Sequence, residues 1–283
     1  MEITSETSPL LRTHGAVLPL RKTKAVQVGD IKIGGPDFSV IAGPCSIESY
    51  GQFLETAQGV KNSGAVLLRG GIWKMRTSAK AFQGLGSEAL HFIRNVLDQT
   101  KMGLVTEVTD PRQIEVLDDY VAMYQVGARN MFNYALLKEL GMSRKPIMLK
   151  RGFSALIEEW IKAAEYISLG GNEGIVLCER GIRTFETATR YTFDLNAVIF
   201  AKARTHYPVI VDPSHAVGIR EFVPKVALAA AAVGADGVIV EVHPRPEEAL
   251  SDGKQALTLE DFKILMKQIE GVLSALNHPL QKL

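Results

Sequence analysis

From Ser39 onward, short runs rich in Val, Ile and Leu alternate with longer stretches of helical period. The runs are SVIAG (39–43), AVLLRG (65–70), GLVTEV (103–108), AMYQVG (122–127), PIMLK (146–150), GIVLCERG (174–181), PVIVDPSH (208–215) and GVIVEVHP (237–244). They are nearly all apolar rather than alternating, which is the pattern of strands buried on both faces of a parallel sheet. The segments between them repeat every three to four residues. In SALIEEWIKAAEYISLGG, Trp160, Ile161, Ala164 and Ile167 fall on one helical face. Ser154 is placed to cap its start and Gly170-Gly171 to end it. In REFVPKVALAAAAVG, the expected buried stripe is Phe222, Val226, Ala229, Ala230 and Val233, with Pro224 in the first turn and Gly234 at the close. A last helix is expected from about Leu259 to Leu276.

Eight strand–helix units are the count of a (β/α)₈ TIM barrel, and residues 39–283 give about 245 residues, a usual size for that fold. An open doubly wound sheet is the competing architecture. Upstream, residues 1–24 have no clear period and read as an arm. Val26, Val28, Ile31 and Ile33 flank Gly29-Asp30, a small hairpin. The expected division is an arm and hairpin over 1–38 and a catalytic barrel over 39–283. No separate regulatory domain fits in the leader.

Composition narrows the class. The chain has 283 residues, 46% of them hydrophobic, and 32 Lys plus Arg against 31 Asp plus Glu leave a net charge of +1. That excess is too small for a nucleic-acid-coating surface. No apolar run approaches the roughly 18 residues of a membrane-spanning helix. The start, MEITSETSPLLRTHGAV, lacks the apolar centre of a secretory signal. The two cysteines, Cys45 and Cys178, lie far apart and imply no disulfide scaffold. A reduced, cytoplasmic enzyme is expected.

In a barrel, the C-terminal strand ends carry the chemistry. Those ends supply two sets. One is cationic: Arg69, Lys74, Arg76, Arg129, Lys150, Arg180 and Arg183. So many cations imply more than one anionic group on the ligand, and Arg meets carboxylate or phosphate with a planar fork. The other is Cys45, His215, Glu241 and Asp252, a mixed thiolate, imidazole and carboxylate set suited to Mn, Fe, Co or Zn. His243 is a weaker rival ligand, since period two points it the same way as Glu241. Cys178 sits mid-run and reads as packing. His14, His91, His206 and His278 have no partner signature. Gly84-Leu85-Gly86-Ser87-Glu88-Ala89 matches a dinucleotide pattern, and Glu107 follows at a suitable distance. However, GIWKMRTSAKAFQ separates it from the preceding strand, so it reads as a helix-initiating turn.

The motifs IAGPCSIES (41–49), LLRGGIWKMRTSAKAFQGLG (67–86), QVGARNM (125–131), LKRG (149–152), CERGIRTFE (178–186), VDPSHAVG (211–218), VEVHP (240–244) and ALSDGKQAL (249–257) occur in order. Together they resemble the type I-beta 3-deoxy-D-arabino-heptulosonate 7-phosphate (DAHP) synthases from about Val26 to Leu276. The resemblance implies metal-dependent condensation of phosphoenolpyruvate with erythrose 4-phosphate, the first step of aromatic amino-acid synthesis. It implies Cys45, His215, Glu241 and Asp252 as metal ligands. Arg69, Lys74, Arg129, Lys150 and Arg180 would hold phosphoenolpyruvate, and Arg76, Thr77 and Ser78 the sugar phosphate. Lys74, Cys45 and His215 would be the catalytic residues.

Lys74 would either give a proton to the nascent alkoxide, with a pKa lowered by neighbouring cations, or pair with the carboxylate of phosphoenolpyruvate. Glu107 would order water or orient a cation. The resemblance also implies a homo-oligomer, tetramer or dimer. The more distant likeness is to 3-deoxy-octulosonate 8-phosphate synthase, which takes arabinose 5-phosphate. Metal-independent members of that group have Asn where Cys45 stands. A non-catalytic barrel is a third reading, and it predicts a lost site residue. Two departures stand out. Met75 and Ala79 replace the usual prolines around Arg76-Thr77-Ser78, which loosens that loop. The regulatory domain often fused to the family has no counterpart here, so feedback by such a domain is not expected.

Overall fold

The computed structural model describes residues 22–76 and 78–283, so most of the expected arm and Thr77 lie outside the described residues. The eight apolar runs become strands β3 (Ser39–Gly43), β4 (Leu67–Arg69), β5 (Gly103–Glu107), β6 (Met123–Val126), β7 (Ile147–Lys150), β8 (Ile175–Glu179), β9 (Val209–Val211) and β10 (Gly237–Glu241). All pair in parallel and in chain order, and β10 closes the ring on β3 with Gly237 opposite Ser39 and Glu241 opposite Gly43. Closure excludes the open doubly wound alternative. The chain is a (β/α)₈ barrel. Each strand is buried along nearly its full length, because the barrel interior covers one face and helices cover the other.

The covering helices are α1 (Tyr50–Asn62), α2 (Leu90–Thr100), α3 (Gln113–Leu117), α4 (Tyr134–Met142), α5 (Ile157–Ser168), α6 (Leu195–Arg204), α7 (Pro213–Val217), α8 (Val223–Ala232) and α9 (Leu259–Ala275). Two of them differ in detail from the pattern read along the chain. In α5 the residue at the N-cap is Leu156, not Ser154, and its N–H donates to Glu159 Oε2 at 2.8 Å. An acid three residues into the helix thus satisfies the first orphan donor. In α8 the buried face is Val223, Ala227, Ala230 and Ala231, while Phe222 is half exposed. The run from Val226 to Val233 is apolar all round, so no polar residue marks out which face turns inward. The Gly84–Ala89 stretch forms a 3₁₀ turn over Gly86–Ala89 that leads straight into α2 and does not itself follow a strand.

Upstream, β1 (Val26–Val28) and β2 (Ile31–Ile33) pair antiparallel as expected, Val26 opposite Ile33 and Val28 opposite Ile31. These four side chains join one apolar cluster with Ile41, Leu67, Val105, Met148, Ile210 and Ile239 from the barrel interior. The hairpin therefore plugs the N-terminal mouth. Cys178 packs in the same cluster, and burial pushes its thiol pKa up, so it is inert packing. With one mouth filled by hydrocarbon, the other end of the barrel is left for polar chemistry.

Candidate active site at the open mouth

Period two carries the interior positions to the rim. Two residues beyond Ile41, Leu67, Val105, Met123, Met148, Cys178 and Ile239 stand Gly43, Arg69, Glu107, Gln125, Lys150, Arg180 and Glu241. The apolar filling thus gives way within one step to charge on five of these seven strands, to the amide Gln125 on another and to the bare backbone of Gly43 on the last. Gly43 is required there, since a Cβ would lie 2.1 Å from the carbonyl oxygen of Arg69. The cavity above has a volume of about 270 Å³, and Lys74, Arg76, Arg129, Lys150, Arg180 and His215 are among its walls.

Cys45, His215, Glu241 and Asp252 converge at its floor, their donor atoms all within 4.8 Å of one another. His215 is not on a strand end, as the pattern suggested, but on the one-turn helix α7. Pro213 fits the first turn, and the Asp212 carboxylate caps it by accepting from His215 N at 2.9 Å. The same carboxylate holds His215 Nδ1 at 2.7 Å and also binds Lys150 Nζ. That leaves His215 Nε2 facing Glu241 Oε1 at 3.2 Å and Asp252 Oδ2 at 3.7 Å. Burial, working against Asp212 and Glu241, holds the imidazole pKa below its ordinary value, the neutral state a ligand needs. Burial, then the Glu241 charge, pushes the Cys45 thiol up, and its Sγ lies 3.1 Å from Asp252 Oδ2.

A divalent ion fits this set. Glu241 Oε1 is buried and accepts no hydrogen bond, an orphan oxygen aimed at the other donors. The donor types match a borderline metal, and Asp212 fixes the imidazole from behind. Asp252 itself sits at φ +51°, a left-handed conformation that Asp tolerates better than most residues.

Two residues that the sequence pattern did not single out complete the floor. Gln255 Nε2 donates to Glu241 Oε2 at 2.7 Å, and its Oε1 accepts from Arg190 Nη1 at 3.0 Å. Arg190 also lies 3.5 Å from Asp252 Oδ1. Both acids are thereby steadied from outside the donor set. Gln255 falls inside the ALSDGKQAL motif but carries no charge to mark it, and the partners of Arg190 lie 62 and 65 residues away along the chain.

The cations are poised for anions. Arg69 pairs with Glu241 at 3.3 Å, yet its buried Nε and Nη1 have no hydrogen-bond partner. Nη1 of Arg76 and of Arg180 are likewise buried and unpartnered. Arg76 and Ser78 line the cavity. Arg183, by contrast, is exposed and outside the cavity wall. Lys74 corrects an expectation. Burial pulls its ammonium down, but Cys45 and Glu107, the latter 3.6 Å away, more than offset that, and its pKa lies above the usual lysine range. His243 is not in the donor set; its Nε2 lies 3.4 Å from Glu48 Oε2. Glu179, at the end of β8, does not join the rim. Its parity is opposite to that of Cys178, so it turns outward to Arg151.

Gly127 supports the Lys74–Glu107 pair. A Cβ there would lie 2.0 Å from Glu107 Oε1, the far end of a flexible side chain. Gly127→Ala is therefore expected to keep the fold and displace Glu107, with a loss of about tenfold in kcat/KM. Unchanged melting with a reduced kcat/KM checks this; unchanged kinetics would show that the pair has no bearing on turnover.

A closed barrel that brings four metal-competent donors together beneath an anion-receptive mouth, among the described residues, has the form of an enzyme acting on phosphorylated or carboxylated small molecules. The chain belongs to the DAHP synthetase I family, which matches residues 17–275. It is 48% identical over 251 residues to the phospho-2-dehydro-3-deoxyheptonate aldolase of Thermotoga maritima, spanning 89% of this chain and 74% of that protein. The crystal structure of that aldolase superposes with a TM-score of 0.89 at 45% identity, covering 92% of this chain and 76% of that one. A truncated form of the Thermotoga 3-deoxy-D-arabino-heptulosonate 7-phosphate synthase gives 0.85 at 43% identity, covering 92% and 95%. The 2-dehydro-3-deoxyphosphooctonate aldolase of Rhodopseudomonas palustris is 32% identical over 263 residues, 86% of this chain and 91% of that protein.

Proposed function

We propose that the chain condenses phosphoenolpyruvate with erythrose 4-phosphate and water to give 3-deoxy-D-arabino-heptulosonate 7-phosphate and inorganic phosphate. The observation that carries this is the convergence of four metal-competent donors at the floor of a cationic cavity, in a chain whose relative at 48% identity is a phospho-2-dehydro-3-deoxyheptonate aldolase. Cys45, His215, Glu241 and Asp252 would hold one divalent ion, drawn from Mn, Fe, Co or Zn. When bound, such an ion supplies Lewis acidity toward an aldehyde oxygen.

The protein's own groups do the rest. Arg69, Lys74, Arg129, Lys150 and Arg180 take the carboxylate and phosphate of phosphoenolpyruvate, and Arg76 and Ser78 with Thr77 take the sugar phosphate. Holding both anions together offsets their mutual repulsion and makes the encounter local. The alkene carbon of phosphoenolpyruvate then forms the new bond to the aldehyde carbon. Lys74, held protonated beside Glu107, gives its proton to the oxygen that becomes a hydroxyl. Water adds at the neighbouring cationic carbon, loses a proton, and the phosphate leaves. Glu107, in ion-pair contact with Lys74, acts by orienting that cation.

The free state of Cys45 and Cys178 suits a reducing cytoplasm, and among the described residues no helix is long and apolar enough to cross a membrane. A homo-oligomer, dimer or tetramer, is in keeping with the exposed apolar side chains Tyr134, Met142, Leu156, Tyr166 and Leu169 on and beside α4 and α5.

The replacement of two loop prolines by Met75 and Ala79 and the 32% identical octulosonate relative favour one second reading, a five-carbon acceptor. Phosphate release with metal present separates the two. Turnover with erythrose 4-phosphate well above that with arabinose 5-phosphate is expected, and the reverse order would overturn the assignment.

A further inference from the structure

Phe153 follows β7 and lines the cavity. Its ring lies parallel to that of Tyr191, with centroids 5.3 Å apart and planes 5° apart. Three guanidinium carbons approach the same phenyl ring: Arg180 at 5.0 Å, Arg183 at 5.3 Å and Arg129 at 5.4 Å from its centroid. Arg180 also lies 4.1 Å from the Tyr191 centroid. These cations come from two different loops, Arg129 after β6 and the other two after β8. The backbone ties the loops of β7 and β8 together, since Arg183 N donates to the carbonyl of Phe153 at 2.7 Å.

Three like charges around one point repel. A hydrocarbon side chain such as leucine would do nothing to gather them. An aromatic ring differs, because the negative face of its quadrupole attracts cations without neutralising them. A carboxylate in the same place would hold the arginines just as well but would compete with an incoming anion. Phe153 makes no hydrogen bond to the guanidinium of Arg180 and so leaves its donors to an anion. Arg180 shows the consequence: it is only 3% exposed, and its Nη1 has no hydrogen-bond partner.

We infer that Phe153 is a positioning residue that gathers the guanidinium groups of Arg129, Arg180 and Arg183 on an uncharged π-face, so that Arg129 and Arg180 face a phosphate or carboxylate entering the cavity while Arg183 holds the cluster from outside the wall. This rests on the reading of the cavity as the phosphoenolpyruvate site. It also gives Arg183, which lies outside the cavity wall, a part in building it.

The test is calorimetric titration of the intact protein with phosphoenolpyruvate and, separately, with inorganic phosphate. Phe153→Leu keeps an apolar side chain of similar bulk and removes the π-face. It is expected to weaken binding of both probes about tenfold, with KM for phosphoenolpyruvate rising by more than kcat falls. Phe153→Tyr keeps the ring and is expected to bind within about twofold of the parent. Leu and Tyr variants that bind equally, whether both tightly or both weakly, would overturn the inference. A parent protein that binds phosphate, graded by the Phe153 series, but never phosphoenolpyruvate would strike the substrate assignment and leave the role of Phe153 standing.

Discussion

Replacement of Cys45 by serine is expected to lower turnover by about 10³-fold, because a hydroxyl is a poor substitute for a thiolate toward a borderline metal and several kcal/mol of Lewis-acid stabilisation go with the ion. The fold should persist. Cys45 is buried against Asp252, and serine fits the same space and can donate to the same carboxylate. Two measurements separate loss of metal from loss of structure. The ion-free variant should melt with the ion-free parent, while its affinity for added Mn or Zn falls by orders of magnitude. Removing the ion from the parent with a chelator should have the same kinetic effect, reversed by adding a divalent ion. Full activity in rigorously metal-free protein would refute the ligand assignment.

The largest expected effect on stability lies away from the site. Arg151 follows β7 and is buried. Its Nη1 meets Glu179 Oε2 at 3.0 Å and Asp194 Oδ2 at 2.9 Å, and its Nε donates to the carbonyl of Ala155 at 3.0 Å. Asp194 caps α6 through its other oxygen, and Glu179 accepts from Gly181 N at 2.7 Å. Arg151→Met removes the cation and leaves Glu179 buried without its partner, a change that typically costs about 3–5 kcal/mol. Urea unfolding of the two proteins measures it.

The pH dependence has a definite sign. Burial, working against Arg151, already holds the Glu179 pKa above the usual carboxylate value. A carboxyl whose folded pKa is raised favours the folded state at pH below its unfolded pKa, and that contribution is lost as pH rises through the folded value. Without Arg151 the folded pKa moves higher still. The gap in stability between parent and variant should therefore be small in the acid range of ordinary carboxylates and widen toward neutrality. A gap that is constant over that range would show that Glu179 stays ionised without its partner.

Much of this was legible along the chain, and the reason is physical. Strands buried on both faces cannot afford polar residues, so all eight appear as apolar runs, and the Gly29-Asp30 hairpin announces itself by its turn. The donor set and most of the cavity cations are visible because charge at the end of an apolar run needs a reason. The helix faces were less legible. In α8 alanine and valine surround the axis, and only packing against the barrel picks Val223, Ala227 and Ala230 as the inner row.

What the amino-acid order determined by itself is local: where strands run, where charge interrupts them, and which residue types stand ready. The tertiary structure decided what depends on distance between remote segments. Barrel closure brings Cys45 to Asp252, 207 residues apart. Strand parity sends Arg180 to the cavity and Glu179 to Arg151. The turn of α7 aims His215 Nε2, and the fold sets Lys74 against Cys45 and Glu107, which raise a pKa that burial and the neighbouring Arg69 would lower. Electrostatic energies vary with separation and burial, and neither is written in the order of residues.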